Sequence, residues 1–397
     1  MRSIRERLNR MQPDVAARPE PAAQTGVPID AVTPGTERKT QSGSHYVVES
    51  SVSVPELAVD EWRETIDRVL GSCVNHDDIL FLDTETTGLD RGTGTHVFLI
   101  GLGYFSGDQV QVEQHFLRDL HEEPSMLADV EYSIRHHAAL VTFNGRGFDW
   151  PIISNRLILH GHRDIPERPH WDLLTSSRRV WRNRLKDCSL GSLERRILNV
   201  ERFGDVPGYL IPQLYFDYLR DRDARPLKSV FSHNQEDIVS LAKLADILLC
   251  AERDPAASLQ HPVDRVSFGL HLLNRGEIAR ADALIRQNAS RPEIDEELRF
   301  RALSGLALQY RRLGQWTTAC ELWELMLTFR WTHIDHYLHP LVELAKVHEH
   351  RMRDFRTAMR YTERALNLVE LHGGRGVRDE LNHRLARLRR RTMNQSD

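Results

Sequence analysis

Apolar and polar positions change rhythm several times along the chain, and each rhythm predicts an element. Ile79-Leu80-Phe81-Leu82-Asp83 is a short apolar run ending in an acid, the pattern of a buried strand. Val97–Tyr104 (VFLIGLGY) predicts a second strand, and Gln109–Phe116 (QVQVEQHF) alternates as a half-buried third should. Met126–His137 has helical spacing, and Leu140–Phe143 predicts a fourth strand. Asn144-Gly145-Arg146-Gly147 is turn chemistry, and Pro151 opens a helix because proline is tolerated in a first turn. A fifth strand is expected near Trp171–Leu174, and a last helix over Asn234–Cys250. A three-strand meander followed by crossover helices makes an α/β sheet of mixed strand direction.

Before this core, residues 1–43 lack apolar periodicity and read as a disordered tail; Ser44–Leu70 reads as an arm or first helix. From Arg265 the pattern is purely helical. Gly276 with Ala281, Gly314 with Ala319 and Asp354 with Ala358 each look like a turn followed by a small residue one helical turn on. These alanines are 38 and 39 residues apart, a period typical of stacked helical hairpins. The expected organisation is thus a tail (1–43), an α/β domain (44–255) and an all-α repeat domain (264–391).

Composition narrows the class. The 397 residues are 40% hydrophobic and 28% charged, in the range of a globular protein. No stretch is apolar enough to span a bilayer and the N-terminus lacks a signal-like apolar run, so we expect a cytoplasmic protein without a membrane partner. Four scattered cysteines suggest neither a zinc motif nor a disulfide framework. The net charge of −4 excludes a wholly basic nucleic-acid binder, but Ser176–Val200 holds seven basic residues against two acids, and the C-terminus carries RLARLRRR. A charge run alone reads as a solvated helix face.

The chemistry resides in acids. Asp83 and Glu85 are two apart on a strand, so they share a face. Two like charges there call for a cation between them, and hard oxygens suit Mg²⁺ or Mn²⁺. Read alone, DTETTGL is equally a strand end before a turn. Asp149 follows the fourth strand, at the carboxyl ends of the strands where ligands gather in open α/β folds, although an Asp before a Pro-initiated helix is also a good N-cap. His233 and Asp237 are four apart and share a helix face: a metal ligand beside a water-activating histidine, or a solvated helix start.

In combination these segments resemble the three motifs of the DEDD 3′→5′ exonucleases: FLDTETTGL the first, TFNGRGFDWPII the second and HNQEDIVSL the third. With THVFLIGLGYF and GDVPGYLIP they resemble the YprB-type branch of the ribonuclease H-like superfamily, over about Ser44–Cys250. The resemblance implies a mixed five-stranded sheet flanked by helices. It also implies two divalent cations, Mg²⁺ or Mn²⁺, held by Asp83, Glu85, Asp149 and Asp237, and removal of nucleotides from a 3′ end. The superfamily's large classes place a histidine five before the last aspartate or a tyrosine four before it. Here His233 is four before Asp237, so a histidine occupies the tyrosine-type position, as water-orienting residue or bystander. The helical region resembles tetratricopeptide repeats, with longer spacing and incomplete signature residues, and would serve a protein partner.

Several residues are candidates for contacting DNA or RNA, single-stranded or at 3′ ends. Thr86 and Asn144 offer backbone and amide contacts, with a turn role as the plainer reading; Phe148 offers stacking, with core packing as the plainer reading. Arg178, Arg179, Arg182 and Arg184, with Trp171 and Trp181, would track a phosphate backbone. His96 and His115 lie on predicted strands and read as packed or exposed side chains rather than ligands. The leading expectation is a metal-dependent nuclease. Its rivals are a catalytically inactive nucleic-acid-binding scaffold and a protein whose working module is the helical region.

Overall fold

The computed structural model describes residues 26–88, 94–165, 167–202, 204–372 and 375–393. In chain order the main elements are β1 (Thr36–Thr40), β2 (Gly43–Ser53), α1 (Arg63–Leu70), β3 (Ile79–Thr86), β4 (Val97–Ser106), β5 (Gln109–Phe116), α2 (Glu123–His136), β6 (Ala139–Thr142), α3 (Asp149–Leu159), β7 (His170–Asp172), α4 (Leu173–Trp181), α5 (Ile211–Asp221) and α6 (Leu227–Arg253). Contacts divide the chain into two compact units, one comprising 1–57, 74–171 and 201–242, the other 58–73, 172–200 and 243–397.

The first unit is built on one sheet of order β1-β2-β5-β4-β3-β6-β7. β3, β4 and β5 form the expected antiparallel meander, and β6 joins β3 in parallel. Among the described residues the sheet has seven strands, not five. The extra two come from 36–53, where Thr36–Thr40 pairs with 43–47 of β2 in a tight hairpin and β2 pairs along all of β5. Residues 36–43, expected to lie in a disordered tail, are therefore ordered in this hairpin. β1 is polar and mostly exposed, so it carries no apolar signal, and its order comes from backbone pairing. Residues 1–25 lie outside the described set.

Helix α6 packs closely on the meander because two glycines of VFLIGLGY leave room for it. A Cβ on Gly101 would lie 2.4 Å from the Asn234 amide, and one on Gly103 2.3 Å from Ile238 Cγ2. Residues two apart on a strand and four apart on a helix present one face each, so the pairs interlock. Helix α2 covers the opposite face of the sheet with buried Met126, Leu127, Val130 and Ile134. At full burial such side chains stabilise by about 1.5–3 kcal/mol each.

The second unit is helical. It continues through α7 (Pro262–Asn274), α8 (Ile278–Asn288), α9 (Glu296–Arg312), α10 (Trp316–Met326), α11 (Ile334–Val347), α12 (Phe355–His372) and α13 (Arg375–Met393). The turns α7–α8 and α9–α10 contain left-handed Gly276 and Gly314; Arg353 takes that conformation before α12. Ala281, Ala319 and Ala358, the residues that set the period, are fully buried. The units are not the contiguous blocks 44–255 and 264–391. The Ala58 amide and Trp62 Nε1 both donate to Asp246 Oδ1 (3.0 and 2.7 Å), and Arg184 makes a forked pair with buried Asp264 (2.7–3.0 Å). Segments distant in sequence thereby belong to the helical unit.

Candidate active site

β3 carries Asp83 and Glu85 on the face toward α6, and Thr84 between them points the other way. The Thr84 hydroxyl donates to Asp149 Oδ1. Asp149 is the first residue of α3 rather than its N-cap, which is Phe148. Left-handed Asn144 (φ 64°) turns the chain after β6, and the Trp150 amide closes the turn onto Gly145 O at 2.9 Å. Asn144 thus serves the turn. Asp237 is not at a helix start: α6 begins at Leu227, seven residues before the expected Asn234, and the Asp237 side chain is only 14% exposed. Asn234, fully buried, donates to Asp83 Oδ2 at 2.9 Å and accepts from Gln114 Nε2 at 2.9 Å.

The four carboxylates are close enough to titrate against one another. Burial first, then Asp237, Asp149 and Glu85, push the Asp83 carboxyl well above the usual range, with Asn234 pulling it back. Burial, Asp237, Asp149 and Asp205 push Glu85 up in the same way, opposed by Arg202. A concentration of desolvated, mutually repelling carboxylates is a donor set suited to divalent cations, because a hard cation removes the repulsion. These residues fit such ions.

His233 faces the same cluster. Its Nδ1 lies 2.7 Å from Asp205 Oδ1, while Nε2 lies 3.6 Å from Asp237 Oδ2 and 3.9 Å from Glu85 Oε1. Arg202 Nη1 is 3.2 Å from the same Nδ1, which therefore sits between a guanidinium and the Asp205 carboxylate, while Nε2 faces the acids. Arg202 itself pairs with Asp237 through Nη2 and lies 3.3 Å from Glu236 Oε2. Arg202, Asp205 and Asn234 carry no signal as catalytic groups in the sequence. Only the position of Asp205 in the resembling stretch GDVPGYLIP pointed toward it.

Other predicted residues play different parts. Thr86 Oγ1 donates to Gly88 O at 2.8 Å, a turn role, and Phe148 packs against the core. Trp171 and Trp181 are buried and unavailable for base stacking. Arg184 is committed to Asp264, whose burial demands a cation. Arg178, Arg179 and Arg182 remain exposed on α4 and in the loop after it. Within the helical unit they line an open groove of about 700 Å³ together with Arg301 and Arg312, and no acid is among its lining residues. The basic C-terminus is partly internal: Arg384 and Arg387 pair with buried Glu349 at 2.9 and 2.7 Å.

Residues 80–249 match the family model of the RNase_H superfamily. Over 327 residues, 80% of this chain and 76% of the relative, the sequence is 32% identical to "Uncharacterized protein YprB" of Bacillus subtilis (strain 168). The chain belongs to the YprB family. Its ribonuclease H superfamily domain, which carries all four acids, is a nuclease-type fold, and nucleases of this fold typically use divalent metal ions. Among the described residues no helix is long and apolar enough to cross a membrane.

Proposed function

We propose that the protein is a metal-dependent nuclease acting 3′→5′ on single-stranded DNA or RNA or on 3′ ends, in the cytoplasm. The observation that carries this reading is the convergence of Asp83, Glu85, Asp149 and Asp237 with a histidine whose free nitrogen faces them. The four carboxylates would hold two divalent cations, Mg²⁺ or Mn²⁺, supplying charge stabilisation to the attacking and departing oxygens. His233 Nε2 accepts the proton of the attacking water. Asp205 fixes the tautomer and stabilises the imidazolium that forms. Asn234 holds the Asp83 carboxylate in one orientation, and Arg202 offsets part of the negative charge beside Asp237.

The helical unit is read as tetratricopeptide-like, supported by its recurring turns and buried alanines. Its arginine groove suits a phosphate backbone, through Arg178, Arg179 and Arg182 with Arg301 and Arg312; the remaining surface is available to a protein partner. End-labelled single-stranded DNA and RNA incubated with Mg²⁺ or Mn²⁺ test the reading. Stepwise shortening from the 3′ end, lost in Asp83→Ala and Asp149→Ala, is the expected result. Binding without cleavage in either metal would overturn it in favour of a nucleic-acid-binding scaffold.

A further inference from the structure

The sheet carries a second polar cluster on the face opposite the acids. Gln114 of β5 points to α6, where it bonds Asn234, so the next residue, His115, points to α2. There it meets His45 of β2 and Asp129 of α2. His45 Nε2 lies 3.0 Å from His115 Nδ1, and Asp129 Oδ2 lies 3.5 Å from each of those nitrogens. Both imidazoles are fully buried. Zinc bonds of about 2.0–2.1 Å in a tetrahedron separate neighbouring donor atoms by about 3.3 Å. The three contacts bracket that value.

The outer nitrogens of both rings also have neighbours. His45 Nδ1 is 3.0 Å from Ser125 Oγ, which accepts from Thr40 Oγ1 at 3.0 Å. His115 Nε2 is 3.6 Å from Glu113 Oε2. A proton on His45 Nδ1, held by Ser125, leaves the lone pair on Nε2, the nitrogen nearest His115 and Asp129, as outer partners do for ligating histidines; His115 Nε2 has no hydrogen-bond partner, with Glu113 its nearest acid. Local charge agrees. Arg38 Nη1 lies 2.9 Å from Glu113 and 3.3 Å from Asp129 while Nη2 pairs with Glu49, one guanidinium serving three carboxylates. Nitrogen donors further separate this cluster from the all-oxygen site across the sheet.

We propose that His45, His115 and Asp129 form a zinc-class metal site that ties β2 and β5 to α2. The inference does not depend on the nuclease reading. The competing arrangement is a direct hydrogen bond between the rings with no metal.

The test uses the full chain carrying Asp83→Asn and Asp149→Asn, so that the carboxylate site does not take up the probe. After expression with zinc and desalting, one zinc per chain is expected by elemental analysis. Cobalt titration of the stripped protein should give visible bands of tetrahedral coordination, and added zinc should raise Tm. Adding His115→Gln or Asp129→Asn should bring zinc to background and abolish the cobalt bands. Should those variants fail to fold, the cobalt spectrum and zinc-dependent Tm of the parent decide. A parent without zinc, cobalt bands or a Tm response overturns the proposal, as does zinc retained by both variants.

Discussion

The two faces of the sheet hold polar clusters built on opposite principles. Under α6, Asp83, Glu85, Asp149 and Asp237 repel one another, and Arg202 compensates only in part. Under α2, two neutral-capable imidazoles share their surroundings with Asp129 and Glu113, and Arg38 pairs with both acids. The first cluster stores unfavourable charge that a ligand must relieve. The second is buried, and its acids are paired with Arg38. A function site and a structural site can therefore lie one strand-pleat apart, distinguished by how much charge is left uncompensated.

The largest effect should come from the acid face. Asp83→Ala or Asp149→Ala should lower nuclease turnover by more than about a hundredfold, beyond the roughly 10–100-fold typical of outer partners, while His115→Gln affects turnover far less in protein that remains folded. Equal losses from both faces, measured on protein of matched Tm, would break the comparison.

Asp205→Asn sharpens it. Loss of the carboxylate that orients His233 should reduce kcat by roughly 10–100-fold with little change in KM. An unchanged kcat would make His233 a bystander.

The two units invite a third measurement. Arg178→Ala, Arg182→Ala and Arg312→Ala together should weaken oligonucleotide binding by about tenfold or more and reduce the salt slope by about one per lost phosphate contact, with kcat unchanged at saturation. A changed kcat with an unchanged slope would remove the groove from substrate binding.

The smallest effect concerns stability. Burial and mutual repulsion raise the Asp83 and Glu85 carboxyls in the native state, so the native protein binds more protons than the unfolded chain. Stability without divalent cations should then fall as pH rises from the ordinary carboxylate range through the raised values. Asp83→Asn should stabilise the chelated protein at neutral pH by about 1 kcal/mol, and divalent cations should erase that advantage, as Tm or denaturant midpoints would show. Destabilisation by Asp83→Asn would mean that the repulsion is already relieved within the protein.

Much of this was legible in the chain. The strands of the meander follow directly from apolar runs and alternation: Gln109–Phe116 is a strand over those very residues, and VFLIGLGY lies within β4. The acids stood out because their types and spacing imply a shared face. The two N-terminal strands did not, because β1 is polar and is ordered by pairing with β2 rather than by burial. α6 was read too short, since Ser232 and Asn234 look like caps but lie inside a helix. The arginine run was read too generously: Arg184 belongs to Asp264, and both tryptophans belong to the core.

By itself the sequence determined the strands of the meander, the helical character of the C-terminal region and which acids can face together, because periodicity and spacing are local properties. Only the tertiary structure decided which partners those side chains meet. Asn234 reaches Asp83 because Gly101 admits it, Asp205 reaches His233 across 28 residues of sequence, and His45 reaches His115 across 70. Such pairings depend on strand order and helix packing, which join residues whose separation along the chain carries no record of their contact.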